Sequence, residues 1–196
     1  MFDRASPQTR PATRLTRRTL LTGLAAAGSF ASFSGFIEPP RYNVPSPARV
    51  PFRTRKPVGS LVIDTGSKRL YLVLGGGQAM EYVIAVGKAG RAFRGAGRIG
   101  RKSEWPSWTP TKNMIRREPA KYAKYASGVP GGPNNPLGAR ALYLYQGSRD
   151  TMYRIHGTNN PESVGHAVSN GCIRLVNDHV KDLYARVNVG ARVYVQ

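Results

Sequence analysis

Ser60-Leu61-Val62-Ile63-Asp64, Thr65-Gly66-Ser67-Lys68, Arg69-Leu70-Tyr71-Leu72-Val73-Leu74 and Gly75-Gly76-Gly77 follow one another without a break. The first and third pieces are short, β-branched and aromatic; the second and fourth are turn chemistry. Such runs separated by Gly, Ser and Lys read as strands joined by tight turns. A third run, Ala79 to Val86, continues the pattern into a meander of hairpins. Arg140 to Tyr145 and Met152 to Ile155 add two more strands, and Ala191 to Val195 closes the chain. Between them lies one helix. Val180, Leu183, Tyr184 and Val187 recur at i, i+3, i+4 and i+7, with Asn177 placed to cap them and Gly190 to stop the stretch. Residues 87–135 read as irregular, with a short helix from Glu118 to Ala126. The expectation is a mainly β domain from Val58 onward, with one clear C-terminal helix and short extra helices.

Upstream, Pro39, Pro40, Pro45, Pro47, Pro51 and Pro57 make residues 38–57 an extended linker, not a packed element. Residues 1–37 carry Arg4, Arg10, Arg14, Arg17 and Arg18, then Leu20-Leu21-Thr22-Gly23-Leu24-Ala25-Ala26-Ala27-Gly28, then small residues to Gly35. That order is the one a secretory signal shows, and Thr16-Arg17-Arg18-Thr19-Leu20-Leu21 resembles a twin-arginine signal. A basic arm and an uncleaved anchor are the competing readings. The expected location is the periplasm or cell envelope, with membrane contact only through this segment.

The formal net charge is +20, and residues 38–196 alone carry +16. A domain this basic seeks a polyanion. Nucleic acid is disfavoured, because no recognition helix, zinc ligand set or stacking motif accompanies the charge. The single cysteine excludes an intrachain disulfide and any zinc site needing two thiolates.

That cysteine stands in Ser169-Asn170-Gly171-Cys172-Ile173-Arg174-Leu175, downstream of Ile155-His156-Gly157-Thr158-Asn159. A thiol reacts as thiolate, and a nearby imidazole favours that form. Gly171 permits a tight turn, after which the N–H groups of Asn170, Gly171 and Cys172 can converge on one oxyanion. The bland alternative is a small buried core thiol. Both motifs, however, lie in Gly-, Asn- and Ser-rich loop sequence. His166 reads as a third ligand only if a metal is present, and no acidic or second thiol ligand accompanies it. His179, in the first turn of the helix, reads as surface. Trp105, Trp108, Tyr122 and Tyr125 suit either packing or a glycan groove.

Residues 58–196 resemble the catalytic domain of the L,D-transpeptidases, the YkuD-like family. The resemblance rests on His156-Gly157-Thr158-Asn159 and Ser169-Asn170-Gly171-Cys172-Ile173-Arg174-Leu175 in that order. Trp105-Pro106-Ser107-Trp108-Thr109-Pro110 and Asn135-Pro136-Leu137-Gly138-Ala139-Arg140 support it. It implies a mixed β-sandwich or barrel-like fold, with Cys172 as nucleophile, His156 as general base and the Gly157 carbonyl orienting the imidazole. It implies peptidoglycan stem tetrapeptides as substrate, loss of D-Ala, and transfer of the acyl group to an amine on another stem or on an envelope protein. No cofactor or metal is implied. Arg174 is expected to bind a substrate carboxylate or to form a structural salt bridge, and Ser169 to contact substrate. The family commonly carries His where Asn170 stands. Hydrolysis on the same fold and non-catalytic wall binding are the competing functions.

Overall fold

The structure is a computed structural model that describes residues 43–88 and 93–196. The signal-like segment 1–37 lies outside the described residues. Nine strands form one mixed sheet. In chain order the strands are β1 (Ala48–Pro51), β2 (Leu61–Asp64), β3 (Arg69–Gly75), β4 (Gln78–Val83), β5 (Val86–Gly87), β6 (Gly95–Glu104), β7 (Arg140–Gln146), β8 (Arg149–His156), β9 (Ala167–Ser169), β10 (Ile173–Arg174) and β11 (Arg192–Val195). The large sheet runs β1-β4-β3-β2-β11-β6-β7-β8-β10, and β5 pairs with β9 in a small second sheet. The meander β2-β3-β4 is antiparallel, as the turn chemistry requires. The closing strand β11 instead inserts parallel to β2 and antiparallel to β6.

The sheet wraps on itself. Ala85, just past β4, exchanges backbone hydrogen bonds of 2.8 and 2.9 Å with Arg174 of β10, the strand at the far edge. The barrel-like expectation is thus met by a bridge between the two sides of one curled sheet. The inward residues alternate along each strand and close on α3 (Asn177–Arg186), whose Val180 and Leu183 are fully buried. Leu61, Ile63, Leu70, Ile99, Leu142 and Ile155 surround them. Each such side chain contributes about 1.5–3 kcal/mol by leaving water.

Three expectations need correction. The Pro-rich segment is not wholly unpacked, because β1 pairs antiparallel with β4 and Phe52 stacks on Tyr71 at 4.4 Å. Prolines are tolerated there because β1 is an edge strand with one unpaired side. The stretch called irregular contains β6, a ten-residue strand between β11 and β7. Its sequence, GAGRIGRKSE, lacks β-branched residues apart from Ile99 and so hides its state. A Cβ at Gly100 would collide with the Tyr145 ring, so glycine here marks close approach, not a turn. Finally, the short helix expected from Glu118 to Ala126 is present as α2 (Pro119–Tyr122) and a 3-10 turn from Ala123 to Tyr125, but a further helix in the stretch read as irregular, α1 (Lys112–Arg117, capped by Thr111), precedes it. Among the described residues no helix is long and apolar enough to cross a membrane.

Candidate active site

β8 and β10 run parallel, with Ile155 opposite Ile173 and His156 opposite Arg174. Ile155 and Ile173 both face the core. Alternation therefore turns Arg154 and His156 of β8, with Cys172 and Arg174 of the partner segment, to the opposite face. Charge coupling agrees, since Arg154 and Arg174 both act on the His156 imidazole and on the Cys172 thiol. The two halves of the motif, well apart in sequence, are brought together by one pair of strands.

His156 is only 4% exposed. Its Nδ1 lies 2.6 Å from the Gly157 carbonyl oxygen. A carbonyl only accepts, so Nδ1 carries the proton and Nε2 presents its lone pair. Burial pushes the imidazole pKa down to about 3, with Arg174 adding to the effect and the Gly157 carbonyl opposing it. His156 is therefore neutral at working pH.

Cys172 is half-buried in a groove of about 310 Å3 that it shares with Trp108, Leu137, Tyr143, Met152 and Arg154. Its Sγ sits 4.0 Å from the Met152 carbonyl. Burial raises the thiol pKa, opposed by the Arg154 N–H and by the charges of Arg154 and Arg174. The Cys172 thiol and the His156 imidazole are thus both held toward their neutral forms.

Arg154 went unnoticed in the sequence. Its guanidinium is clamped bidentately by Asp150, at 2.7 and 3.0 Å, and stacks on Tyr143 at 4.4 Å from the ring centre. Asp150 also accepts the Met152 N–H at 2.8 Å and so holds Met152 at φ 64° beside the sulfur. The only sequence signal was an Asp and an Arg four apart on a strand that ends in His156.

Other assigned roles shift. Ser169 is 1% exposed; its hydroxyl donates to the Cys172 carbonyl at 2.6 Å and accepts the Gly171 N–H at 3.0 Å. It braces the loop that carries Cys172 and, being buried, is not placed to contact substrate. For the same reason the Gly171 N–H is committed and does not serve the expected oxyanion site in this conformation. Asn170 donates its side-chain amide to the Tyr122 hydroxyl at 2.8 Å, fastening α2 to the loop that carries Cys172. Tyr122 is buried, and Trp108 packs near it and Tyr125, at 6.2 and 5.9 Å between ring centres. Arg174 makes no ion pair among the described residues, contrary to the salt-bridge reading, and its buried Nε has no partner. It lines a second groove of about 380 Å3 with Lys88, Lys121, Tyr122, His166 and Asn170. His166 is exposed at that groove, and the described residues contain no cluster of three metal-ligating side chains. His179 is buried at 8% exposure, not on the surface. Asn177 does not cap α3 with its side chain: Val176 holds the cap position.

Residues 59–195 match the model of the L,D-transpeptidase catalytic domain. The chain belongs to that family. The probable L,D-transpeptidase ErfK/SrfK of Escherichia coli is 38% identical over 155 residues, 78% of this chain and 47% of that one. The putative L,D-transpeptidase YkuD of Bacillus subtilis is 32% identical over 152 residues, 78% of this chain and 70% of that one. This chain spans about half the length of the enterobacterial relatives. A solved structure from Brucella melitensis, described as a probable carnitine operon oxidoreductase, is 50% identical with a TM-score of 0.54. It aligns over 77% of this L,D-transpeptidase-family chain and 91% of its own. L,D-transpeptidase 3 of Mycobacterium tuberculosis shares the fold, at 15% identity and TM-score 0.52 over 70% of this chain and 60% of that one.

Proposed function

We propose that this protein is an exported L,D-transpeptidase that acts through a Cys172 thioester on peptidoglycan stem tetrapeptides. The observation that carries the reading is the 2.6 Å lock between His156 Nδ1 and the Gly157 carbonyl, on a strand paired with the segment that holds Cys172. It leaves Nε2 as the base. In the first half-reaction Sγ attacks the carbonyl between the third and fourth stem residues, and Nε2 takes the thiol proton. The C–N bond breaks, the proton passes to the leaving amine, and D-Ala departs. In the second, the side-chain amine of a diamino acid attacks the thioester and loses its proton to Nε2, the C–S bond breaks, and Nε2 returns the proton to the departing sulfur, restoring the thiol. With the Gly171 N–H committed to Ser169, the Cys172 N–H is suited to meet the developing oxyanion. Arg174, which lines the second groove and whose buried Nε has no partner, is suited to a substrate carboxylate.

The oxidoreductase description of the Brucella relative finds no counterpart in this chain's glycine run. Gly75-Gly76-Gly77 is the hairpin turn between β3 and β4, not a strand-to-helix phosphate loop. The charge of +16 over residues 38–196 supports attraction to an acidic wall polymer, and the Arg17-Arg18 segment supports export. Incubation with a disaccharide-tetrapeptide and mass spectrometry of the products tests the reading. Cross-linked dimer with released D-Ala is expected. Disaccharide-tripeptide with D-Ala and no dimer replaces the transferase by a hydrolase.

A further inference from the structure

Asn177, the first residue of α3, turns its side chain back toward the segment that follows His156. Its Oδ1 accepts the Ala139 N–H at 2.9 Å and the Thr158 N–H at 3.3 Å. Both partners are donors, so the oxygen, not the amide nitrogen, must face them. The Thr158 N–H and the Gly157 C=O belong to one planar peptide unit. That carbonyl is the one that holds His156 Nδ1. A continuous chain therefore runs from Asn177 Oδ1, through the Gly157–Thr158 peptide, to the imidazole. Hydrogen bonds in such a chain polarise one another.

The packing around Asn177 is built for it. A Cβ on Gly157 or on Gly138 would collide with the Asn177 oxygen. Gly138 also sits at φ +63°, which glycine adopts without cost. The backbone of both segments thus closes on a single side-chain atom. The Leu137 carbonyl, which also favours the charged imidazole, lies two residues before the Ala139 amide that Asn177 holds. Both carbonyls that face the ring belong to segments hung from Asn177.

We infer that Asn177 is a positioning residue for His156, filling through a peptide group the place that a carboxylate or amide side chain fills directly in other cysteine and serine enzymes. It fixes the Nδ1–H tautomer and the basicity of Nε2. This rests on the reading of His156 as the base, but its most direct test does not. Nitrogen NMR of the His156 ring in the resting protein should show the Nδ1–H tautomer. Asn177→Ala should give a tautomer mixture. Asn177→Asp keeps both hydrogen bonds, suits the N-terminus of α3, and should raise the ring's pKa above that of wild type.

Turnover per titrated thiol should fall about 100-fold in Asn177→Ala with little change in KM, the scale of a misplaced reacting group. Asn177→Asp should restore most of it. A purely structural role predicts otherwise: lowered thermal stability in Asn177→Ala, with unchanged ring signals and unchanged turnover per folded molecule. That result overturns the inference. If the ring signals respond as expected but no variant, wild type included, makes product, the positioning stands and the enzymatic reading fails.

Discussion

A buried neutral imidazole makes stability depend on pH in a window that few other groups share. His156 has its pKa pushed from 6.5 down to about 3 in the folded chain. The unfolded chain binds a proton at this site below pH 6.5 that the folded chain refuses. Stability is therefore full above pH 6.5 and falls as pH drops toward 3. One pKa unit corresponds to about 1.4 kcal/mol. Between pH 7.5 and 4.5 the unfolded state gains about two decades of protonation, and the site alone removes about 3 kcal/mol. Stopping at pH 4.5 stays above the carboxylates Asp64 and Asp182, whose pKa values are lowered by their hydrogen bonds. His179 is also pushed down by burial and adds a loss of the same sign. That term is common to both proteins if only His156 is changed. Urea titrations of wild type and His156→Gln at pH 7.5 and 4.5 isolate the difference. The variant should lose about 3 kcal/mol less than wild type over this interval. Equal losses would mean that His156 is protonated in the folded state, and the neutral thiol–imidazole pair would have to be abandoned.

Tyr122→Phe deletes the hydroxyl that receives the Asn170 amide. It should cost about 1 kcal/mol and speed hydrogen exchange through residues 112–125. Gly100→Ala places a methyl group in the Tyr145 ring. It should destabilise by about 1–3 kcal/mol in denaturant titration, whereas Gly76→Ala meets open space and suffers only from its positive φ. Arg174→Gln should raise KM for a tetrapeptide donor more than it lowers kcat, as steady-state kinetics would show; the reverse would place Arg174 in the chemistry and not in binding.

The meander β2-β3-β4 and the helix α3 were legible because their signals are local: alternating apolar runs, turn residues, and a 3.6-residue period. Strand β6 was not, because its reasons are non-local. Gly97 and Gly100 are demanded by Tyr145 on the neighbouring strand, and Arg101 lies over the Tyr143 ring at 3.5 Å. The same division holds at the site. Cys172 and His156 stand in recognisable loop motifs, and the parallel pairing of β8 and β10 brings those motifs together. Ser169 was misassigned because its hydroxyl is turned back to Cys172 and Gly171, which no spacing reveals. Asn177 was read as a cap because Asn before an apolar helix usually is one. Its actual partners, Ala139 and Thr158, are 38 and 19 residues away. Arg154 acts through a strand pairing that places it beside Cys172, again invisible to a one-dimensional reading.

The proposed reaction depends on acylation of Cys172 with His156 as base. Intact-mass spectrometry of the protein after exposure to a carbapenem, a strained acyl donor, tests it most directly. Cys172 is the only thiol in the chain, so any thioester must form there. Wild type should gain one carbapenem mass, mapped to the peptide that contains Cys172. Cys172→Ala should gain none, and His156→Ala should acylate about 10²–10⁴-fold more slowly. An adduct that persists in Cys172→Ala, or full acylation speed in His156→Ala, would contradict the account.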